Sequence, residues 1–165
     1  MKQVTAIVLA AGASRRLGAP KQLARLDGEP LVRRAARVAL ASQCARSVVV
    51  VGAESRQVRA ALADLDVEIA ECPGWEEGIS ASIRAGLDAL DPQTDGALFL
   101  LADQPQVDAA LLDTLLAAFE APGIERVACA YAGAIGVPAV FARRCFTALR
   151  ELRGDRGARA LLEAA

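Results

Sequence analysis

Short runs of mostly apolar residues recur along the chain and predict buried strands. The first run is Val4–Leu9, which is followed by small residues and glycine, and the second is Val48–Val51. Three further runs are Val67–Ala70, Ala97–Leu101 and Val127–Tyr131. Continuous apolar runs of this length are typical of strands in a parallel sheet that is covered on both faces.

Between these runs, apolar residues recur at helical spacing and predict one helix in each interval. Pro30 suits the first turn of the first helix. The four apolar stripes are Leu31, Ala35, Val38 and Ala39; Val58, Ala61, Leu62 and Leu65; Ile79, Ile83, Leu87 and Leu90; and Leu111, Leu112, Leu115, Leu116 and Phe119. The tail from Ala142 to Ala165 is predicted to be helical in two pieces separated by Gly154, with Asp155 as a cap. Asp27 and Gly28 predict a turn.

Alternating strands and helices predict an α/β fold, Rossmann-like, with three α/β/α layers around a mostly parallel sheet. A chain of 165 residues has the length of one domain, so we expect a single domain over residues 1–165. In an open α/β sheet, ligands bind at the carboxyl ends of the strands, near the point where strand order reverses. This rule predicts a site built from the loops after Leu9, Ala70 and Leu101.

Composition and charge narrow the function classes. The chain is 54% hydrophobic and 24% charged, with a net charge of −1, which argues against disorder and against general binding to nucleic acid or anionic membranes. No apolar stretch approaches the roughly 20 residues that a membrane span needs. Gly12 and the Arg15–Arg16 pair interrupt the first apolar run where a signal peptide needs its cleavage site. We therefore expect a cytoplasmic protein with no nucleic-acid or membrane partner.

The chain contains four cysteines without CxxC spacing and no histidine. This pattern excludes the usual zinc motifs and the Ser-His-Asp and Cys-His arrangements. Its chemistry must therefore depend on carboxylates, on lysine and arginine, on backbone dipoles or on a bound metal.

The loop LAAGASRRLGAPK, residues 9–21, predicts a cradle for a triphosphate. Small residues let the backbone approach a ligand, successive N–H groups form an anion nest, and Arg15, Arg16 and Lys21 add positive charge. The spacing fits neither the Walker A motif nor GxGxxG. Because 17 of the 19 basic residues are arginines, a lysine beside this loop suggests a site for a compact ammonium, although a solvated loop lysine is the alternative.

Asp103 follows the fourth predicted strand in LADQP. A carboxylate at this position is well placed to hold Mg²⁺ against substrate phosphates, because Mg²⁺ commonly takes one or two carboxylates in such sites. The alternative is a turn or a helix cap before Val107.

Three other segments carry weaker signals. In residues 72–86, Gly78, Ser80 and Ser82 offer donors for a base or ribose, but Ser80 can equally cap the helix and Trp75 can be core. The segments 131–138 and 152–159 can shape a second-substrate pocket or simply form a turn and a capped helix. The residues concerned there are Gly133, Gly136, Gly157, Arg156 and Arg159.

Five motifs occur in order along nearly the whole chain. They are LAAGxSxRxGxxK at 9–21, GxPL at 28–31, WxEGxSxS at 75–82, LADQP at 101–105 and GDxGAR at 154–159. This pattern resembles the MobA-like nucleotidyltransferases, and most closely the molybdenum cofactor cytidylyltransferases. The resemblance implies a fold of the nucleotide-diphospho-sugar transferase type.

The same resemblance implies a function. CMP would be transferred from CTP to the phosphate of molybdopterin, with release of pyrophosphate. Lys21, Arg16 and Asp103 would be catalytic, with Mg²⁺ as cofactor on Asp103. The implied nucleotide-binding residues are Leu9, Ala10, Ala11, Gly12, Ser14, Arg16, Lys21, Gly78 and Ser82. Ala11 favours CTP over GTP, because the guanylyl enzymes commonly carry LAGG, and another NTP stays open as the donor. A molybdoenzyme is a further expected partner.

Two alternatives stay open, namely transfer to a sugar or polyol phosphate and a non-catalytic nucleotide- or molybdopterin-binding protein. A dinucleotide-dependent dehydrogenase is disfavoured, because GxGxxG is missing. The chain departs from the family pattern at Cys72, where relatives often carry asparagine, and at Val137, where they often carry histidine. It also ends at Ala165, so we expect the domain to lack the family's C-terminal strand segment.

Overall fold

The computed structural model describes residues 1–12, 20–131 and 133–163. Its strands are β1 (Val4–Ala10), β2 (Arg25–Leu26), β3 (Glu29–Pro30), β4 (Arg46–Val51), β5 (Glu68–Glu71), β6 (Gly96–Leu101), β7 (Arg126–Tyr131) and β8 (Ala134–Ala142). Its α-helices are α1 (Leu31–Ala41), α2 (Ser55–Ala61), α3 (Ile79–Asp88), α4 (Ala109–Phe119), α5 (Phe146–Arg150) and α6 (Arg159–Glu163). Short 3₁₀ turns cover Lys21–Leu23, Trp75–Glu77 and Arg143–Cys145.

Six strands form one sheet in the order β5-β4-β1-β6-β8-β7. The first four are parallel to one another, whereas β8 runs antiparallel to both β6 and β7. The strand order reverses at β1, which lies between β4 and β6. This arrangement confirms the predicted α/β class with a mostly parallel sheet.

Helices cover both faces of the sheet and create two hydrophobic cores. Val8 of β1 belongs to the core formed with α1, α2 and α4, and the next residue, Leu9, belongs to the core formed with α3, α5 and α6. Because both faces are covered, the central strands contain no polar face, which explains their continuous apolar runs. Leu98 and Phe99 of β6 are fully buried, one in each core, and such burial stabilises the fold by roughly 1.5–3 kcal/mol per side chain.

Strand β8 was not predicted, because Gly136 and Pro138 gave its sequence the character of a turn. Pro138 has no backbone N–H to donate to a neighbouring strand, so one hydrogen bond of the ladder is missing at this position. The register of β8 with β6 ends at Phe99 and Ala139, and a register shift at Ala128 and Cys129 interrupts the pairing of β8 with β7. The sheet therefore accepts Pro138 between two pairing defects.

The C-terminal prediction was wrong in part. Ala142 ends β8, and the helical pieces of the tail are α5 and α6, which are much shorter than expected. Asp155 does not cap a helix, because α6 begins only at Arg159. Among the earlier helices, α2 ends at Ala61 and α3 at Asp88, so Leu65 and Leu90 lie beyond the predicted helices, where both still pack against the cores.

The turn predicted at Asp27 and Gly28 is confirmed. These two residues connect β2 to β3, which pair antiparallel through Leu26 and Glu29. Both have positive φ, 53° and 79°, which is the backbone of a two-residue type I′ hairpin. The hairpin leads directly into α1.

Candidate functional site

A cavity of about 680 Å³ lies at the carboxyl ends of β1 and β6, beside the start of α3. The loops after Leu9 and Leu101 contribute to it, and the segment that follows β5 contributes Trp75 and Glu76. The lining residues are Leu9, Ala10, Ala11, Gly12, Lys21, Gln22, Trp75, Glu76, Gly78, Ile79, Ser82, Leu101, Ala102, Asp103 and Asp155. The cavity therefore lies at the strand ends where the rule predicted a site, and all three predicted loops lead into it.

Lys21 and Asp103 meet in this cavity. Asp103 comes two residues after β6, and Lys21 begins the 3₁₀ turn that precedes β2. Lys21 Nζ lies 4.0 Å from Asp103 Oδ2, and the two side chains are 53% and 35% exposed. Each group is thus reachable by a ligand, and the pair presents a cation and an anion side by side.

Gln104 holds the loop that carries Asp103. Its Oε1 accepts a hydrogen bond from the N–H of Leu101 at 3.1 Å, and its Nε2 donates to the carbonyl of Val137 at 3.0 Å. The side chain therefore bridges β6 and β8 just beyond their last paired residues. It replaces a ladder contact there and restricts the position of the neighbouring carboxylate.

Gly78 forms the start of α3 and requires glycine. Its φ is 123°, a conformation that L-residues rarely adopt. A Cβ at this position would lie 2.4 Å from the carbonyl oxygen of Gly154 and 2.5 Å from Oδ1 of Asp155. The loop before α6 therefore packs directly on Gly78, and this contact places Asp155 in the cavity wall.

A polar network ties that C-terminal loop to α3. Arg84 donates to both carboxylate oxygens of Glu77, at 2.6 and 2.7 Å, and to the carbonyl of Leu152 at 2.7 Å. The N–H of Ser80 donates to the carbonyl of Gly154 at 3.1 Å. The hydrogen bond from Arg84 is the main cause that lowers the pKa of Glu77 below its ordinary value. The network holds the cavity wall in place.

Most predicted site residues come together in this cavity. Those that line it are Leu9, Ala10, Ala11, Gly12, Lys21, Gly78, Ser82 and Asp103. Ser14 and Arg16 lie outside the described residues. Ser80 is fully buried and donates its hydroxyl to Glu77 rather than capping α3, which Gly78 precedes.

Several weaker candidates lie elsewhere. Gly133 and Gly136 belong to the β7–β8 hairpin, and neither lines the cavity. Arg159 pairs with Glu163 at 2.7 Å, and Arg156 is exposed outside the lining. The predicted second-substrate pocket at these positions is therefore not part of the cavity.

Sequence reasoning did not assign three charged or amide side chains that line the cavity, those of Gln22, Glu76 and Asp155. Gln22 directly follows Lys21, and its residue type carries no pattern that would have singled it out. Asp155 belongs to a motif that was recognised, but its contact with Gly78 joins two segments that are distant in sequence.

The donor set suits a metal that is held chiefly by its substrate. In the part of the chain that the structure describes, no three His, Cys, Asp or Glu side chains cluster as metal ligands. Mg²⁺ usually binds through one or two carboxylates together with substrate phosphates, and keeps several waters. Asp103, beside a cavity that can hold phosphates, fits that mode of binding.

The described lining can contact an anion through Lys21, which supplies a positive charge, and through the backbone of Ala11 and Gly12 at the same edge of the sheet.

None of the described helices is long and apolar enough to cross a membrane.

The fold and the cavity define an α/β protein of the nucleotide-diphospho-sugar transferase type. Residues 6–165 match the family model of the MobA-like NTP transferase domain, and the chain belongs to this family of nucleotidyltransferases.

Relatives extend over most of the chain. The purine catabolism protein PucB of Bacillus subtilis is 32% identical, over 95% of this chain and 79% of PucB. Nicotine blue oxidoreductase of Paenarthrobacter nicotinovorans is 35% identical, over 85% of this chain and 67% of that protein.

The crystal structure of Rv0371c from Mycobacterium tuberculosis superposes with a TM-score of 0.85 at 33% identity and covers 98% of this chain and 82% of Rv0371c. A second structure of Rv0371c, in complex with manganese, superposes with a TM-score of 0.83 at 30% identity, over 98% of this chain and 83% of its own.

Proposed function

We propose that this chain transfers CMP from CTP to the phosphate of molybdopterin and releases pyrophosphate. The observation that carries the proposal is the 4.0 Å approach of Lys21 and Asp103 in a cavity lined by the loop after β1. Membership of the MobA-like NTP transferase family supports nucleotidyl transfer as the type of reaction.

The reaction forms one P–O bond and breaks another. A phosphate oxygen of the acceptor attacks the α-phosphorus of CTP, and the bond from that phosphorus to the bridging oxygen of the β-phosphate breaks. Pyrophosphate leaves with the electron pair. Phosphoryl chemistry of this kind depends on positioning and charge stabilisation more than on a protein base, which suits a chain without histidine.

The residues of the cavity divide this work between them. The Lys21 ammonium binds triphosphate oxygens and stabilises the charge that develops on the leaving pyrophosphate. The N–H groups at Ala11 and Gly12 orient the same phosphates. Gly78 and Ser82, at the start of α3, bind the nucleoside. Arg16 would add a second cation on the phosphates.

Asp103 would hold a divalent cation, for which we propose Mg²⁺. A bound cation of this type neutralises charge on the phosphate oxygens. The manganese complex of Rv0371c, a relative with the same fold, supports divalent-metal binding in this family. Asp103 also forms an ion pair with Lys21, and this attraction orients the ammonium before the nucleotide enters.

CTP is proposed as the donor because Ala11 gives the loop the LAAG form of the cytidylyl enzymes. The acceptor rests on family resemblance alone. A sugar or polyol phosphate would use the same chemistry, and a protein that binds nucleotide and molybdopterin without turnover would use the same cavity.

Equilibrium binding of CTP, with and without Mg²⁺, tests the donor. GTP serves as the nucleotide comparator, and NAD is included because one relative bears an oxidoreductase name. We expect Mg²⁺ to strengthen binding and CTP to be preferred. Preference for GTP would overturn the choice of donor, and preference for NAD would overturn the reaction class.

Pyrophosphate release then tests the acceptor. We expect release from CTP only when molybdopterin is added, and not with a sugar phosphate or a polyol phosphate. Binding of CTP and molybdopterin without release would instead favour the non-catalytic binding protein.

A further inference from the structure

Gln22 is a buried polar residue that no motif assigned. Only 5% of its surface is exposed, although it lines the cavity. Its Nε2 donates to the carbonyl oxygen of Ala10 at 3.2 Å and to that of Gly12 at 2.9 Å. Both hydrogens of the side-chain amide are thus used on the loop that follows β1.

The neighbouring carbonyls of Leu9 and Ala11 also accept hydrogen bonds from the protein. The N–H of Ala102 donates to the carbonyl of Leu9 at 3.2 Å, and the N–H of Ala53 donates to that of Ala11 at 2.8 Å. Four successive carbonyls, from Leu9 to Gly12, are therefore occupied by three different parts of the fold.

This has a direct geometric consequence for the loop N–H groups. In a planar trans peptide, a carbonyl and the N–H that follows it point to opposite sides. The bond from Gln22 to the Ala10 carbonyl therefore turns the N–H of Ala11 away from Gln22. In the same way, the bond from Ala53 to the Ala11 carbonyl turns the N–H of Gly12 away from Ala53.

Gln22 also lies in the turn that carries Lys21. The 3₁₀ turn Lys21–Leu23 is closed by the N–H of Ala24, which donates to the carbonyl of Lys21 at 3.1 Å. Because Gln22 is bonded to the loop, the backbone of Lys21 is fixed relative to Ala10 and Gly12. One side chain thus connects the ammonium and the backbone donors.

We propose that Gln22 is the positioning residue of the anion site. By donating to the carbonyls of Ala10 and Gly12, it orients the N–H of Ala11 and holds the turn of Lys21 against this loop, so that both act on the same phosphates. This inference rests on the proposed nucleotide site. Gln22 itself does not touch the ligand, and its effect is on affinity for phosphate rather than on recognition of the base.

Gln22→Met and Gln57→Met are the matched variants. Methionine has the length of glutamine but no donor, and Gln57 is an exposed residue of α2. The probes are CTP and inorganic tripolyphosphate, each with Mg²⁺, and the unfolding midpoint is measured in parallel. We expect Gln22→Met to weaken the binding of both ligands by the same factor, on the order of tenfold or more. Gln57→Met is expected to bind both ligands as the wild type does.

An equal loss of affinity for CTP and for tripolyphosphate is the result that supports the proposal, because tripolyphosphate has no base or ribose. Loss of CTP affinity alone would overturn the proposal, since Gln22 would then act on the nucleoside. Unchanged affinity for both probes in a folded Gln22→Met protein would overturn it as well.

Gln22→Glu adds a readout that a purely structural role would not move. A carboxylate faces the two carbonyls without a donor, whereas its protonated form donates one hydrogen bond. We therefore expect the ratio of Gln22→Glu to wild-type dissociation constants for tripolyphosphate to fall as the pH is lowered from 8 to 5. A ratio that does not change with pH contradicts the proposal, and this test stands even where Gln22→Met fails to fold.

Hydrogen exchange separates this inference from the proposed function. In the free protein, both side-chain amide protons of Gln22 are expected to exchange more slowly than those of Gln57 in NMR spectra. Slow exchange in a protein that binds tripolyphosphate but neither CTP nor GTP would retain the positioning role and reject nucleotidyl transfer. Exchange as fast as that of Gln57 would reject the positioning role.

Discussion

Lys21 Nζ lies 4.0 Å from Oδ2 of Asp103, and both side chains are partly open to solvent. An exposed pair at this distance contributes little to folding, since the median for such pairs is about 0–1 kcal/mol. The two residues lie on loops at the carboxyl ends of the central strands, where ligands bind in folds of this class. We therefore propose that the pair serves binding and catalysis rather than stability.

Asp103→Asn is expected to reduce pyrophosphate release by roughly 10²–10³-fold, because the amide is a poor ligand for a divalent cation. The unfolding midpoint should stay close to wild type. Asp66→Asn, at an exposed position outside the cavity lining, removes the same charge and should leave turnover unchanged. Full turnover in Asp103→Asn would remove this residue from the metal role.

Lys21→Met is expected to raise the KM for the nucleotide by roughly tenfold or more, because a charge-assisted contact with phosphate is lost. Lys21→Arg should restore only part of the nucleotide affinity that Lys21→Met loses, since a planar guanidinium does not occupy the position of a compact ammonium. Lys2→Met is the control, because Lys2 contacts the Phe119 carbonyl and ring instead of the cavity. Steady-state kinetics of all three variants measure the KM for the nucleotide, and an unchanged KM in Lys21→Met would contradict the assignment.

Gly78→Ala is expected to destabilise the protein by roughly 2–5 kcal/mol, since backbone strain and overpacking add. The new Cβ would meet Gly154 and Asp155 at 2.4–2.5 Å. Gly123→Ala is the matched control: its φ is 80°, but no atom lies within 4 Å of an added Cβ, so only the strain of roughly 1–2 kcal/mol remains. Urea unfolding measures both. Equal losses in the two variants would mean that the C-terminal loop does not pack on Gly78.

Glu77→Gln tests the network that holds this loop, through its pH dependence. The hydrogen bond from Arg84 is the main cause that lowers the pKa of Glu77 in the folded state below its ordinary value of 4.5. The ionised carboxylate therefore stabilises the fold at pH values above 4.5. That contribution is lost as the pH falls through the lower, folded-state pKa. The difference in unfolding midpoint between wild type and Glu77→Gln should therefore be constant at neutral pH and shrink in acid.

Urea titrations from pH 7 down to pH 3 measure this difference. Glu151→Gln, at an exposed position after α5, serves as a control for the loss of one carboxylate. A Glu77→Gln difference that grows in acid would reverse the sign of the argument and reject the network.

The architecture could be predicted from local patterns. The runs that became β1, β4 and β6 are apolar because helices cover both faces of the sheet, and that demand is visible in each run by itself. The three loops were likewise predictable, since strand ends in this class of fold meet at one edge. Lys21 was singled out as a rare lysine beside the Gly-rich loop and Asp103 by its position after a buried strand, whereas the roles proposed for them came from the family resemblance.

Contacts between distant segments were decided only by the tertiary structure. Strand β8 is stable because it lies between β6 and β7, although Gly136 and Pro138 give it the local character of a turn. Gln22 acquires its role from two carbonyls of another segment, and Asp155 from the packing of its loop on Gly78.

The sequence by itself thus determined the α/β class, the location of the site and the family motifs, because each depends on hydrophobic periodicity or on residues close together in the chain. The tertiary structure alone decided the place of β8, the anchoring of the loop by Gln22 and the cavity wall at Asp155. These depend on hydrogen bonds and close approaches whose partners are brought together only when the two cores form.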